Sequence, residues 1–343
     1  MAYTDIDKPS DYFNTKLWTG TGSNGNAISG VGFQPDWVWV KNRSEAYDHV
    51  LFDRVRGDNK HVESNNNSAE ENEANTLAFG SDGYSVGTNT LNKSSNNIVG
   101  WSWKANGAGS SNTAGSISST VSASTASGFS IVSWTGNQTA GATVGHGLGV
   151  APSVLINKKT SAGGTDWFVY HKSIGANYYL GLNQTYEKQD QILAWNDTAP
   201  TSSVFSLGAG GSSNGSGASM ITYCFAEKQG YSKFGSYTGN GSTSDGVFIY
   251  TGFKPAFMIS KRTDSGDEWN LHDSKRPEYN PTNKYLQPNS SAAEGERTID
   301  FLSNGIKLYT ANAGYNASGG NYIYMAFAEN PFVTSTGVPA TAR

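Results

Sequence analysis

Residues 145–149, Gly145-His146-Gly147-Leu148-Gly149, concentrate glycine as a phosphate-binding loop would. Such a loop needs a strand before it and a helix after it, because the helix N-terminus supplies free N–H groups and a favourable dipole. Here the glycines lead through Val150-Ala151-Pro152 into Val154-Leu155-Ile156, a β-branched apolar run that predicts a strand. Phosphate binding is therefore not expected. The five histidines, His49, His61, His146, His171 and His272, show no His-x-x-x-His ligand spacing, and a single cysteine cannot build a thiolate zinc site. No metal, no cofactor and no catalytic residue are expected. His171 and His272 each follow an apolar strand residue and read as one repeated position, which predicts a strand-end hydrogen bond rather than catalysis. Cys224, within Ile221-Thr222-Tyr223-Cys224-Phe225, reads as a buried structural thiol.

Other groups carry weaker chemistry. Asp264, Asp267 and Glu268 have the carboxylate density that Ca²⁺ ligation or acid–base work needs, but they fall in a loop between two predicted strands, where acids are ordinarily solvated. Arg54 and Arg56, with Lys275 and Arg276, form a recurrent basic spot, for which ion pairing to Asp53 and Asp273 is the simpler account. Arg56-Gly57-Asp58 is a three-letter match to an adhesion motif and carries little weight alone. Trp195 abuts a turn in "LAWNDTAP" and has no clear counterpart elsewhere, as a ring exposed to stack on a sugar would. The candidate ligand-binding residues are therefore Trp195, Asp264, Asp267 and Trp269.

Composition sets the class that must position these groups. The 343 residues carry 15% charge, 12% aromatics and 41 glycines, with a net charge of −4 that is not gathered into blocks. Aromatic richness excludes a disordered polar chain, and the absence of clustered Lys and Arg argues against a nucleic-acid face. No run is long and apolar enough for a membrane span, and the N-terminus lacks the apolar core of a secretory signal, so synthesis in the cytoplasm is expected. Short aromatic and β-branched runs between Gly/Asn/Ser turns predict an all-β fold.

The chain also repeats itself. Leu17-Trp18-Thr19-Gly20 recurs as Ser133-Trp134-Thr135-Gly136 and Ser236-Tyr237-Thr238-Gly239. A Gly, apolar, x, Pro pattern then leads into a strand closing on Lys41, Lys158 or Lys261. Each unit ends in a strand with large alternate residues (Trp101 and Trp103, Tyr223 and Phe225, Met325 and Phe327), which predicts one buried face. Three tandem β-sandwich modules of jelly-roll or lectin-like type follow, at 1–107, 129–230 and 231–343, with 108–128 a Gly/Ser/Thr-rich linker or an edge strand. Little helix is expected. The best candidate is "NSAEENEANTL", where Ser68 and Glu71 could form a capping box.

Several stretches resemble a domain family of structural and tail-fibre-like virion proteins from tailed, mostly marine, bacteriophages. They are "DYFNTKLWTGTGS", "GVGFQPDWVWVKNR", "YDHVLFDRVRGD", "GYSVG", "GWSWKANG", "GFSIVSWTG", "GYSKFGSYTGNGS", "DFLSNGIKLYT" and "YIYMAFAENPF", with the terminal Ala342-Arg343. The resemblance implies a non-enzymatic virion protein, found on the particle. It would be a tail-fibre or appendage component contacting host-surface glycan or, alternatively, a head decoration protein cementing the capsid, with a glycan-processing enzyme a distant third. The implied partners are other virion proteins, a host glycan and further copies of the chain, with neither nucleic acid nor membrane insertion. The N-terminal "AYTDIDKPSDYF" is the stretch expected to dock on the particle.

Overall fold

Strand order is the same in each third of the chain. In the first unit Phe13–Thr19 pairs with the closing strand Asn97–Trp103, which pairs with Trp37–Asn42, which pairs with Val50–Asp53. The second unit repeats this order with Phe129–Thr135, Ser219–Phe225, Val154–Lys159 and Phe168–His171. The third uses Ser232–Thr238, Asn321–Pro331, Phe253–Arg262 and Asn270–Asp273. Each of these strand pairs is antiparallel, and the protein is all-β. The structure, a computed structural model, describes residues 4–277 and 279–341, so Ala342-Arg343 lies outside the described residues.

Register agrees with the sequence repeat residue by residue. Trp18, Trp134 and Tyr237 face Ile98, Met220 and Tyr322, each of these the second residue of its closing strand. Lys41, Lys158 and Lys261 face Val99, Ile221 and Ile323, each the third. In units one and two the proline, Pro35 or Pro152, stands just before the lysine-bearing strand, where a missing N–H costs the ladder nothing. In the third unit Pro255 sits inside the strand, and the ladder accommodates it by register shifts on either side.

The closing strands are buried on both faces, not on the single face that alternation suggested. Their inner faces meet in one central cluster shared by all three units, which holds Trp101, Trp103, Tyr223, Phe225, Met325 and Phe327. Rings pack across every unit boundary. Trp37 stacks on Tyr223 with centroids 4.5 Å apart, Trp103 meets Phe257 edge-on at 5.5 Å, and Phe225 meets Phe327 at 6.0 Å. Their outer faces pack on a small second sheet in each unit: Asn26–Ser29 with Gly83–Val86 and Leu77–Gly80, Ala142–Gly145 with Val204–Leu207, and Phe248–Tyr250 with Gly305–Leu308 and Ile299–Leu302. Gly100 is required on that outer face, because a Cβ there would lie 2.1 Å from the Tyr84 hydroxyl.

Backbone bonds close the three units into a ring. The Glu70 N–H donates to the Thr160 carbonyl (2.8 Å), Lys188 to Thr263 (3.1 Å) and Glu294 to Arg43 (3.0 Å), so unit one reaches two, two reaches three and three returns to one. This explains why "NSAEENEANTL" is not a helix. Glu71–Asn72 is a short strand beside Lys60–Glu63, and the Glu70 backbone is committed to the neighbouring unit. The helices among the described residues are short turns, such as Ile192–Trp195, Gly211–Asn214 and Ala313–Asn316. Residues 108–128 form strands at Ser110–Asn112 and Ser119–Ser124, the second pairing with Phe129–Thr135. The N-terminal stretch docks on the chain itself: Thr4 and Asp5 donate to the Gln229 carbonyl at the junction of units two and three, and Ile6 enters the central cluster.

A repeated buried asparagine holds the turn after each opening strand. Asn214 accepts from the Asn137 N–H and donates to the carbonyls of Thr139 and Gly208, and Asn316 does the same with Asn240, Ser242 and Thr310. Asn92 plays this part in unit one, accepting from Thr21 and donating to Ser23. Each lies five residues before its closing strand.

Because the central cluster belongs to all three units, they should unfold together. Calorimetry is expected to show one transition; three resolved transitions would mean independent modules. Alanine at Trp103, Phe225 or Phe327 should each cost about 3–5 kcal/mol in a urea titration. A loss below about 1 kcal/mol at any of them would show that its ring is not central.

Candidate functional site

Polar chemistry gathers at the unit boundaries, and the same sequence positions supply it in each unit. A lysine ending a sheet strand in the interior must place its ammonium on acceptors. Lys41 donates to the Asn42 carbonyl at 2.8 Å and to Ser291 of unit three at 3.0 Å. Lys261 donates to Arg262 at 2.9 Å and to Thr185 of unit two at 3.1 Å, while Lys158 donates to Thr165 at 2.7 Å. Burial pulls all three down to about 8, against the opposing pull of the acids beside them, Asp48, Asp166, and Asp267 with Glu268. Those acids are clasped in turn. Asn65 bonds Asp48, Asn183 bonds Asp166 and Asn289 bonds Glu268, while the same amide oxygens accept the N–H groups of His49, Trp167 and Trp269.

A second cluster recurs in units one and three. Arg56 pairs with Asp53 at 2.5 Å and with Glu70 at 3.3 Å; Arg276 pairs with Asp273 at 2.5 Å and with Glu294 at 3.2 Å. The aspartates also reach across the boundaries, accepting from the Tyr223 hydroxyl (2.9 Å) and the Trp101 indole N–H (3.0 Å). Burial works to raise the Asp273 carboxyl, but Arg276 and two backbone N–H groups hold it below its ordinary range.

His171 belongs to this cluster by position. It pairs with Val154 as Asp53 pairs with Trp37 and Asp273 with Phe257, so its counterpart is Asp273 and not His272, which lies one residue earlier on the ladder. Its Nε2 donates to the Tyr324 carbonyl at 3.2 Å and its Nδ1 accepts from Ser173, a neutral ring fully satisfied at the boundary of units two and three. His272 lies between the Thr282 carbonyl and the Tyr315 hydroxyl, and His146 between the Thr201 carbonyl and the Leu148 N–H. All five histidines and Cys224 are buried. The 145–149 run ends one strand and enters another, with positive φ at Gly147 and Gly149.

The structure does not assemble the expected ligand residues into a site. Trp195 is 1% exposed: the turn Ile192–Trp195 tucks it against Tyr170 and leaves Ile192 and Leu193 outside. Trp269 is buried, its indole N–H donating to the Gly181 carbonyl of unit two at 2.8 Å, as Trp167 donates to Glu63 of unit one. Neither ring can stack on a sugar. Asp264 is held below its usual range because bonds from Arg262 and from Asn321 outweigh the effect of burial. Asp267 turns its carboxylate to the Glu268 N–H, and Glu268 is the third copy of the acid–asparagine clasp. Of the basic spot, Arg56 and Arg276 pair with Asp53 and Asp273 as expected, while Arg54 lies 3.8 Å from Asp36 instead, and Arg56 of the Arg-Gly-Asp run is buried in its pair. No group of three or more potential metal ligands occurs among the described residues. No helix among them is long and apolar enough to cross a membrane.

The fold and these clusters define an all-β protein built on an internal threefold repeat with ion-paired boundaries. The chain belongs to a family described as a domain of unknown function, DUF7483, whose model matches residues 8–331 and so spans all three units together. Comparison with curated proteins and with solved structures gives no match.

The buried cations and histidines give stability a defined pH dependence. His171 and His272 are lowered by burial to about 4 and about 3, so below pH 6.5 the unfolded chain takes up protons that the folded chain does not. Stability should fall as pH drops from 6.5 toward 4, by roughly 3 kcal/mol for each ring. The lysines give the opposite flank: from pH 8 to about 10 the unfolded chain holds more protons, so stability should rise with pH. Melting temperatures across this range test both signs, and Lys158→Met should flatten the alkaline rise. A melting temperature that falls from pH 8 to 9.5 would contradict the lysine assignment.

Proposed function

We propose that the chain is a non-enzymatic structural protein of a tailed-phage particle, a tail-fibre or appendage component that meets the host surface. The sequence resemblance supplies the class. One structural observation supports the absence of catalysis: the polar groups capable of chemistry sit at matching positions of the repeat in two or three units and are bonded to one another. A catalytic constellation needs to exist once, with a reacting group turned toward substrate. Groups copied with the fold and turned inward hold the fold. Other virion proteins and further copies of the chain are the partners this reading requires.

Labelling the protein on intact particles and imaging them tests the reading. Label on the tail or its appendages is the expected result. Label on the head shell would replace the fibre assignment with a decoration role, and absence from purified particles would end the virion reading. Incubation with host-surface polysaccharide should release no reducing ends; release would overturn the non-enzymatic assignment.

A further inference from the structure

Where three copies of one strand plan share a fold, a large exposed side chain present in only one copy is not needed by that fold. Tyr250 is such a residue. It faces Gly305 on the small sheet of unit three, where the equivalent ladder positions hold Ser29 facing Gly83 and Gly145 facing Val204. The preceding residues, Ile249, Ile28 and Val144, are all buried, which fixes the equivalence. Tyr250 is 59% exposed, and Phe248, on the same face of the strand, is 43% exposed where the other units carry Ala27 and Thr143.

Tyr250 opens onto a cleft of about 350 Å³ at the junction of units two and three, with Phe332 on its lining and Glu227, Gln229 and Lys233 among its polar groups. Glu227 is held in place by Lys172 at 2.7 Å and by the Phe234 N–H at 2.7 Å. Lys233 stands 3.9 Å from the same carboxylate, and its ammonium makes no hydrogen bond among the described residues. Gln229 is exposed, and its side-chain amide makes no hydrogen bond among the described residues. The volume falls in the range of small-ligand sites.

We infer that this cleft binds a saccharide ring, with Tyr250 as its stacking face and Gln229, Lys233 and Glu227 as its hydroxyl contacts. A pyranose presents an apolar C–H face and an edge of hydroxyls that both donate and accept. The cleft offers the matching set: half-open aromatic faces, an amide that does both, an ammonium that donates and a fixed carboxylate that accepts. The inference rests on the proposed function only in taking a surface polysaccharide as the source of the ring. It is tested on the purified chain, so its failure is separate from a failure to find the protein on particles.

The probe is an array of multivalent hexose, N-acetylhexosamine and hexuronic acid oligosaccharides, since single-ring contacts of this kind are weak and gain from multiple copies. The chain should be retained on at least one of the three classes. Tyr250→Ser, which installs the residue unit one carries there, should weaken retention about three- to tenfold without moving the melting temperature. Tyr250→Phe keeps the ring and should bind as the parent does. Failure to bind all three classes would overturn the inference. So would unchanged binding by Tyr250→Ser, or an equal loss in Tyr250→Phe.

Discussion

Three closing strands, each buried on both faces, must share one apolar centre, and the rest of the structure answers to that constraint. A strand in this position has no solvent side, so every residue along it has to be chosen for a neighbour. Toward the axis these are the largest rings and chains available, Trp101, Trp103, Tyr223, Phe225, Met325 and Phe327. Toward the second sheet the residues range from Gly100, where a Cβ would meet the Tyr84 hydroxyl, through Cys224 and Ala326 to Met220 and Tyr324. No single unit can bury its inner face alone. The three depend on each other as the repeats of a solenoid do, but closed into a ring rather than left with two ends to cap.

Closing a ring of sheets forces polar groups inward. Strand ends and the loops after them meet at each boundary, and their carbonyls and N–H groups would be left dry without partners. The lysine at the end of each proline-led strand satisfies carbonyls of its own loop and, for Lys41 and Lys261, of the adjoining unit. Carrying a charge into that setting is costly, which is why each ammonium has an acid beside it and why the acid is itself clasped by an asparagine. The Asp–Arg–Glu clusters serve the same boundaries from the other end of the strand. Unit two does without one: His171 stands where the aspartate would, and Ile174, in the place of Arg56 and Arg276, packs on the central cluster instead. One boundary thus exchanges an ion pair for a neutral ring and an apolar contact.

Which strands of the three units correspond, though not the order in which they pair, was legible in the sequence because it rests on local grammar repeated three times: a Trp or Tyr before Thr-Gly, a proline before a lysine-bearing strand, alternate large residues at the end. The ring was not. Its boundaries are made by residues far apart in the chain, such as Glu294 with Arg43 and Tyr223 with Asp53, and no local pattern states who meets whom. The same gap misplaced Trp195 and Trp269. Trp195 beside a turn reads as exposed, whereas an inward-tucked turn buries it; Trp269, aligned with Trp167 as a core position, fails only as a ligand residue, its indole N–H being spent on the carbonyl of Gly181 in another unit. The asparagine latch could have been found, since Asn92, Asn214 and Asn316 keep one spacing to their closing strands.

An internally repeated chain separates fold from function by its own comparison. Positions that agree among the units, including every acid–asparagine clasp and buried lysine, are accounted for by the shared plan, however much their chemistry resembles an active site. Positions that disagree divide again. His171 in place of an aspartate is inside and compensated, so it is a variant of the plan. Tyr250 in place of Ser29 and Gly145 is outside and uncompensated, and it adds exposed apolar surface that neither other unit has at that position. Stability gives no reason to keep such a ring at that position. A contact beyond the chain does, and it would act at the one junction where the start of unit one is already pinned to units two and three through Gln229.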